Sequence, residues 1–137
     1  MKKEIKFSLV FRDTYYQATG KRNFLDIAIR YADCVCKNIG EGPGQKRVIP
    51  GHQIAEMALA KLYLVTGDQK YLDQAKFFLD QRGYTSRTDE YSQAHKPVVQ
   101  QDEAVGHAVR AAYMYAGMAD VAALTGDTAY IHAIDRI

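Results

Sequence analysis

A Thr-Gly turn template that occurs three times constrains the fold more than any other feature of this sequence. Each copy begins with Thr-Gly and reaches an aromatic residue followed by an aliphatic one: Thr19 to Leu25, Thr66 to Leu72 and Thr125 to Ile131. A Gly at this point ends a helix in the left-handed conformation. In the last two copies an Asp follows the Gly and can accept N–H groups of the next helix. The template predicts three antiparallel helical hairpins.

The segments on either side of these turns have the apolar periodicity of helices, with apolar residues at three- and four-residue steps. The predicted helices are about Phe7 to Ala18, Asn23 to Asn38, Gly51 to Val65, Gln69 to Gln81, Val98 to Leu124, and a sixth that begins near Thr128. A Gly- and Pro-rich run over residues 40–44 ends the second helix. The polar stretch Gly83 to Pro97 is long for a loop in a compact domain, and such loops are usually functional or disordered.

The fifth predicted helix is the longest and is rich in Ala. We expect one stripe of it to pack against neighbouring helices: Val105, Ala108, Val109, Ala112, Tyr115, Ala116, Ala119 and Ala123. A polar cluster of Gln101, Glu103 and His107 falls at its N-terminal end, where the peptide dipoles leave a partial positive charge. The pattern is typical of a central core helix, and less often of the inner wall of a binding site.

The spacing of the three templates along the chain is uneven, so the variation in length falls in the loops between hairpins, all at one end. Two all-α architectures fit this pattern. One is an open solenoid that binds a protein along its concave side. The other is an arc of an α/α toroid, whose inner helices surround a pocket. Solenoid repeats usually keep a nearly fixed length, and these loops carry His and aromatic residues, so the toroid is favoured.

The composition is that of an ordinary globular chain, with 137 residues, 47% hydrophobic and 25% charged residues, and a net charge of +2. This length corresponds to one domain or part of one. Lys and Arg are scattered among acids without a basic stripe, so we expect no nucleic-acid or membrane partner. The short charged run after Met1 does not have the form of a signal peptide, so we expect no export from this sequence as it stands.

The cysteines Cys34 and Cys36 lie two residues apart on a predicted helix, where i and i+2 side chains do not face each other. We therefore expect two reduced, partly buried thiols and no disulfide. A metal site would need ligands from elsewhere, and two Cys without a second pair are a weak signal. We predict no metal site in this chain.

Several short motifs together resemble glycoside hydrolase family 127, the bacterial β-L-arabinofuranosidases of plant-glycan breakdown. They are Pro50-Gly51-His52, Glu56 to Tyr63, the Thr66-Gly67-Asp68 turn, Asp80 to Gly83, His95 to Val98, and Glu103 to Arg110. The resemblance covers Tyr15 to Ile137, leaving residues 1–14 as an atypical lead-in. It implies an (α/α)6 barrel, of which the six predicted helices are about half, usually followed by β-sandwich domains. The sequence departs from the family at Ile54-Ala55, which replaces a commonly acidic position.

The resemblance also implies a retaining hydrolysis with a zinc-bound Cys nucleophile and a Glu acid/base, all further along the barrel than this chain reaches. Cys34 and Cys36 do not match those positions, so we assign no catalytic residue here and expect zinc only in the full-length enzyme. By the same resemblance, His52 and His107 face the sugar site. His95, Gln101 and Glu103 match motif positions of unassigned role, and we include them as weaker sugar-binding candidates.

These observations predict part of a glycosidase whose full-length form binds an arabinofuranosyl glycan. A non-catalytic helical-hairpin module that binds a protein is the alternative, and a sugar epimerase or lyase with a His acid/base pair is a third hypothesis. Six helices of an (α/α)6 barrel leave two flanks without neighbours. Because exposed apolar faces recruit partners, we also expect self-association.

Overall fold

A computed structural model describes residues 14–137, and this part of the chain forms six helices with a single β-bridge, between Ile39 and Lys46. The helices are α1 (residues 14–19), α2 (Asn23–Asn38), α3 (Ile54–Thr66), α4 (Gln69–Gln81), α5 (Ala108–Thr125) and α6 (Ala129–Arg136). Two 3-10 turns, Glu90–Ser92 and Val98–Gln100, lie between α4 and α5. The predicted lead-in, except residue 14, and the predicted helix before that residue lie outside the described residues.

The three Thr-Gly turns are built alike, which confirms the predicted hairpins. Thr19, Thr66 and Thr125 each donate a hydrogen bond to the carbonyl four residues earlier, at 2.7 Å. The Gly that follows each of them has a φ between +70° and +76°, the left-handed helix terminus that Gly favours. In the second and third turns, the Asp carboxylate accepts the N–H two residues further on, at 3.2 and 3.1 Å.

The Tyr of the second and third templates connects each hairpin to the preceding one. The Tyr71 hydroxyl donates to Asp33 of α2 at 2.7 Å, and the Tyr130 hydroxyl donates to Asp80 of α4. A lysine ammonium joins each of these acceptors to the Asp of the turn, Lys70 in one case and Lys76 in the other. The hydrogen bond from Lys70 holds the pKa of Asp33 below its usual value. These clusters fix how far each hairpin is displaced along the next.

The helices pack in two layers around a shared core. In one layer α3 packs against α5. In the other layer α2 packs against α4. Across the layers, α4 packs against its hairpin partner α3, and α6 packs against its hairpin partner α5. The largest core side chains come from both layers: Leu25, Leu59, Leu62, Tyr71, Leu72, Phe78, Leu79, Met114, Met118 and Tyr130. None of the helices within residues 14–137 has the length and apolarity to cross a bilayer.

The bounds of α2 and α4 agree with the prediction, whereas α3 and α5 begin later than predicted. Residues 51–53 form a turn before α3, and α5 begins at Ala108 instead of Val98. Gln101 and Glu103 therefore do not lie in the first turn of a helix, and that prediction was wrong. Gly106 has a φ of +73°, and its Cα lies against the carbonyl of Glu90, so the chain cannot continue as a helix through this point.

The predicted packing face of α5 was also wrong. The buried residues are Ala111, Met114, Gly117, Met118, Val121 and Ala122. Most of the predicted Ala stripe, including Ala112 and Ala116, is exposed in the described part of the chain. Because α5 is apolar on nearly all sides, periodicity does not single out one face, and the larger Met and Val side chains are the ones that pack into the core.

Candidate functional site

The two long loops between hairpins, residues 39–53 and 82–107, lie together at the end of the helices opposite the Thr-Gly turns. The Gln53 side chain donates to the carbonyl of Ser92 at 2.6 Å, and the Arg110 guanidinium donates to the carbonyl of Gly51. A cleft of about 800 Å³ lies between these loops and α2. Its polar and aromatic lining includes Tyr31, Arg47, His52, Asp89, Tyr91 and Arg110. The grouping of the loops at one end was predicted and is confirmed.

His52 lines this cleft just before α3. Its Nδ1 accepts the N–H of Ile54 at 3.2 Å. A neutral imidazole that accepts at Nδ1 carries its proton at Nε2, so this second nitrogen is a hydrogen-bond donor. The ring packs edge-on against Tyr113 of α5, with 5.4 Å between the ring centroids. The start of α3 and the first turns of α5 together orient this histidine.

His107 is the N-cap residue of α5. It is not among the described residues that line the cleft, but it packs against Tyr91, which is. Its ring contacts Tyr91 edge-on, with 5.2 Å between the centroids. The backbone N–H of His107 donates to the Tyr91 carbonyl at 3.2 Å. The Arg110 guanidinium carbon lies 4.8 Å from the Tyr91 ring centroid. Arg110 also bonds to Gly51, so Tyr91 and Arg110 connect the two predicted histidines.

The three weaker candidates are not among the described residues that line the cleft. Gln101 is fully buried and donates to the carbonyls of Gln93 and Lys96 at 2.9 and 3.0 Å. Both ring nitrogens of His95 are buried and lack a hydrogen-bond partner among residues 14–137. Glu103 is exposed. The structure thus gives Gln101 a role in ordering the loop, and a sugar contact of any of the three stays a prediction.

A buried ion pair holds the second long loop against α3. Glu56 Oε1 and Arg82 Nη2 are 2.8 Å apart, and both side chains are 0% exposed. Arg82 also donates to the carbonyl of Ser92 at 3.0 Å. Glu56 is neither exposed to solvent nor in the lining of the cleft. The pair joins three segments: α3, the end of α4 and the loop that lines the cleft.

Asp89 caps the 3-10 turn at the cleft, and we expect this cap to depend on pH. Its carboxylate accepts the Ser92 hydroxyl at 2.7 Å and the Ser92 N–H at 2.8 Å. The bond from the hydroxyl lowers the pKa of Asp89 below its ordinary 3.8. A lowered pKa means that the stabilisation is fully present above the ordinary value and is lost as pH falls through the folded-state pKa.

Hydrogen exchange of the Ser92 amide, followed by NMR from about pH 6 to about pH 2, measures this effect. After correction for the intrinsic exchange rate, we expect protection to fall at the acidic end. Asp89→Asn is the control, because its cap does not titrate and the pH dependence should disappear. Equal protection of Ser92 across the whole range would contradict the prediction.

The two cysteines differ in their surroundings. Both are unpaired; Cys34 is exposed, so only Cys36 is partly buried as predicted. Burial, together with the charge of Asp33, raises the pKa of the Cys36 thiol to about 11. Zinc binds the thiolate, which this environment disfavours. Within residues 14–137, no three His, Cys, Asp or Glu side chains converge on one point. Zinc in the full-length enzyme stays a prediction.

Several residues that build the site were not predicted from the sequence. Arg110 lies within the Glu103 to Arg110 motif, and Gln53 directly follows His52, so proximity to motif residues could have indicated both. Tyr91 and Gln93 lie in the polar loop, where nothing in the local pattern distinguishes them from their neighbours.

Antiparallel hairpins in two layers, with long loops and a cleft at one end, define the chain as a partial arc of an (α/α)6 toroid. The comparisons with known proteins give the particular family. The model of the beta-L-arabinofuranosidase GH127 catalytic domain matches residues 13–137, and the chain belongs to this family. This finding confirms the resemblance, the all-α fold class and the choice of toroid over solenoid.

The similar proteins are themselves arabinofuranosidases. The non-reducing end beta-L-arabinofuranosidase of Bifidobacterium longum subsp. longum is 34% identical over 89% of this chain and 22% of the relative. A solved GH127 beta-arabinofuranosidase is 74% identical with a TM-score of 0.95, over 97% of this chain and 21% of that one. A GH127 beta-L-arabinofuranosidase from Geobacillus stearothermophilus T6 is 40% identical with a TM-score of 0.90, over 97% of this chain and 24% of that one. The chain therefore spans about a fifth to a quarter of the length of these relatives.

Proposed function

We propose that this chain supplies part of the sugar-binding wall of a retaining glycoside hydrolase that acts on β-L-arabinofuranosyl groups. The observation that supports this most strongly is that His52 and His107, which come from different hairpins, meet the same loop cluster through Tyr91 and Arg110. We assign no catalytic residue to the chain. By resemblance to the family, the Cys nucleophile, its zinc and the Glu acid/base belong to a part of the domain that this chain does not contain.

The histidines are suited to hold sugar hydroxyls. A neutral imidazole has one donor and one acceptor nitrogen, which matches a hydroxyl that also donates and accepts. His52 Nδ1 accepts the N–H of Ile54, and the proton of the neutral ring is then on Nε2. His107 Nδ1 is buried with no hydrogen-bond partner among the described residues. A sugar bound against both rings would be oriented by two segments whose separation is fixed by the fold.

The experiment compares His52→Ala and His107→Ala with the unaltered full gene product. We expect each variant to lower kcat/KM on a p-nitrophenyl β-L-arabinofuranoside by at least about fivefold, because each loses a hydrogen bond to the sugar of roughly 1 kcal/mol or more. His132→Ala is the matched control, since His132 is exposed on α6. We expect it to keep the unaltered rate.

Hydrolysis of the arabinofuranoside that is unchanged in both variants would refute the role of the histidines. No hydrolysis of any β-L-arabinofuranoside by the gene product would refute the substrate class. The alternative of a non-catalytic protein-binding module is not favoured by the family match. A family of glycoside hydrolases also argues against the epimerase or lyase hypothesis.

We also propose that the isolated 137-residue chain self-associates through its exposed apolar residues. Val109 on α5 is 53% exposed and Leu64 on α3 is 64% exposed, and the outward Ala residues of α5 extend this surface. Apolar surface of this kind favours association in water. Light scattering should give a mass above that of the monomer, and the mass should fall on dilution. A monodisperse monomer at high concentration would contradict this proposal.

A further inference from the structure

We propose that Gln93 is a positioning residue that fixes His107 relative to His52. The inference deepens the proposed function, because its consequence for catalysis depends on the two imidazoles contacting the sugar. Gln93 lies in the second long loop, is 0% exposed and does not line the cleft. Its effect on a bound sugar must therefore pass through other residues.

The side chain of Gln93 connects the segments on which the two histidines lie. Its Oε1 accepts a hydrogen bond from the Gln53 amide at 2.5 Å, and Gln53 directly follows His52. Its Nε2 donates to the carbonyl of Val105 at 2.9 Å and to that of His107 at 3.3 Å. A continuous path of hydrogen bonds thus runs from the residue after His52 to the backbone of His107.

The backbone of Gln93 indicates that this arrangement is specific. Gln93 is the one residue other than Gly with a positive φ within residues 14–137, at 53°. Side chains disfavour this region, and Asn and Asp enter it more readily than Gln does. Such conformations persist where the surrounding structure over-determines them, and they occur often at ligand sites. An Asn here would suit the backbone better, but its side chain is one methylene shorter.

Only an amide of this length provides both functions. The oxygen must accept from Gln53 while the nitrogen donates to carbonyls on the opposite side. A Glu in its place could accept but would bring a carboxylate against the carbonyls of Val105 and His107. Arg110 and Tyr91 connect the same two segments at the cleft, and Gln93 Nε2 also donates to the Tyr91 carbonyl at 3.3 Å, so the two sets of contacts meet at Tyr91.

The principal variant is Gln93→Gly, which removes the amide and at the same time relieves the positive φ, so that the chain can still fold. In the full gene product we expect kcat/KM for the arabinofuranoside to fall by at least about tenfold. We also expect the ¹⁵N signals of the His107 imidazole to shift. Gln93→Asn should show the same changes, since its amide does not reach both partners.

Tyr130→Phe is the control for stability. It removes a hydrogen bond at the opposite end of the hairpins, so it should lower the melting temperature while kcat/KM and the imidazole signals stay as they are. The effects of Gln93→Gly and Gln53→Ala on kcat/KM should be less than additive in the double variant, because the hydrogen bond between the two side chains is lost in either single variant.

The proposal is overturned if Gln93→Gly lowers the melting temperature but leaves both kcat/KM and the His107 signals unchanged. It is also overturned if the effects of Gln93→Gly and Gln53→Ala on kcat/KM are additive. If the proposed function is wrong, the experiments give a different result. In that case His52→Ala and His107→Ala keep full activity, while Gln93→Gly still shifts the His107 imidazole signals.

Discussion

Replacing Arg82 with Met should lower the free energy of unfolding by about 3–5 kcal/mol, one of the two largest effects we expect from a single substitution. The guanidinium is 0% exposed and is 2.8 Å from the Glu56 carboxylate, which is equally buried. Without Arg82, this charge would remain in the interior without its counter-ion, and the Ser92 carbonyl would lose a donor. Urea denaturation followed by circular dichroism measures the change.

The double variant Arg82→Met with Glu56→Met is the control for that result. With both charges removed, no unpaired ion is left in the interior, so we expect much of the lost stability to return. A single variant that costs less than about 1 kcal/mol would show that the pair does not hold the loop as described. A double variant as unstable as Arg82→Met would show that packing, not charge, determines the cost.

Gly106→Ala should lower the free energy of unfolding by about 2–5 kcal/mol, for two reasons that add. Its φ of +73° is unfavourable for a residue with a Cβ. An added Cβ would also lie 1.9 Å from the carbonyl oxygen of Glu90, and this backbone atom cannot move aside as a flexible side chain could. The loop before α5 would have to separate from the 3-10 turn, and His107 is the next residue. The same urea measurement applies.

Gly126→Ala separates the two contributions. Gly126 has nearly the same φ, +76°, but a Cβ added there meets no atom within 4 Å. We expect this control to cost only the conformational part, about 1–2 kcal/mol. Equal losses in the two variants would show that the contact with Glu90 contributes nothing.

The parts of the fold that the sequence predicted well are those with strong local signals. α2 and α4 each have an amphipathic pattern that begins next to a Thr-Gly turn, and the predicted bounds agree with the structure. The start of α5 was not predictable in this way. The segment before it is apolar enough to be read as helix, but its backbone groups bond to the side chains of Gln93 and Arg136, which are distant in sequence.

In the candidate site too, some residues could be predicted from local sequence signals and others could not. His52 and His107 could be proposed because they lie in short motifs that resemble a known family. The ion pair between Glu56 and Arg82 could not, since nothing in the local pattern pairs two residues that lie 26 positions apart. The positive φ of Gln93 had no sequence signal either, because Gln rarely occupies that conformation and no neighbouring Gly or Asn indicated a turn.

The Tyr–Asp hydrogen bonds at the Thr-Gly end have a consequence for how such a domain diversifies. They set the register of neighbouring hairpins at the end of the molecule furthest from the cleft. Exposed loop positions at the cleft end, unlike the buried Gln93 and Arg82, do not contribute to this register, so they can change in sequence while the helices keep their alignment. A scaffold of this kind can acquire a different ligand preference through its exposed loop positions alone.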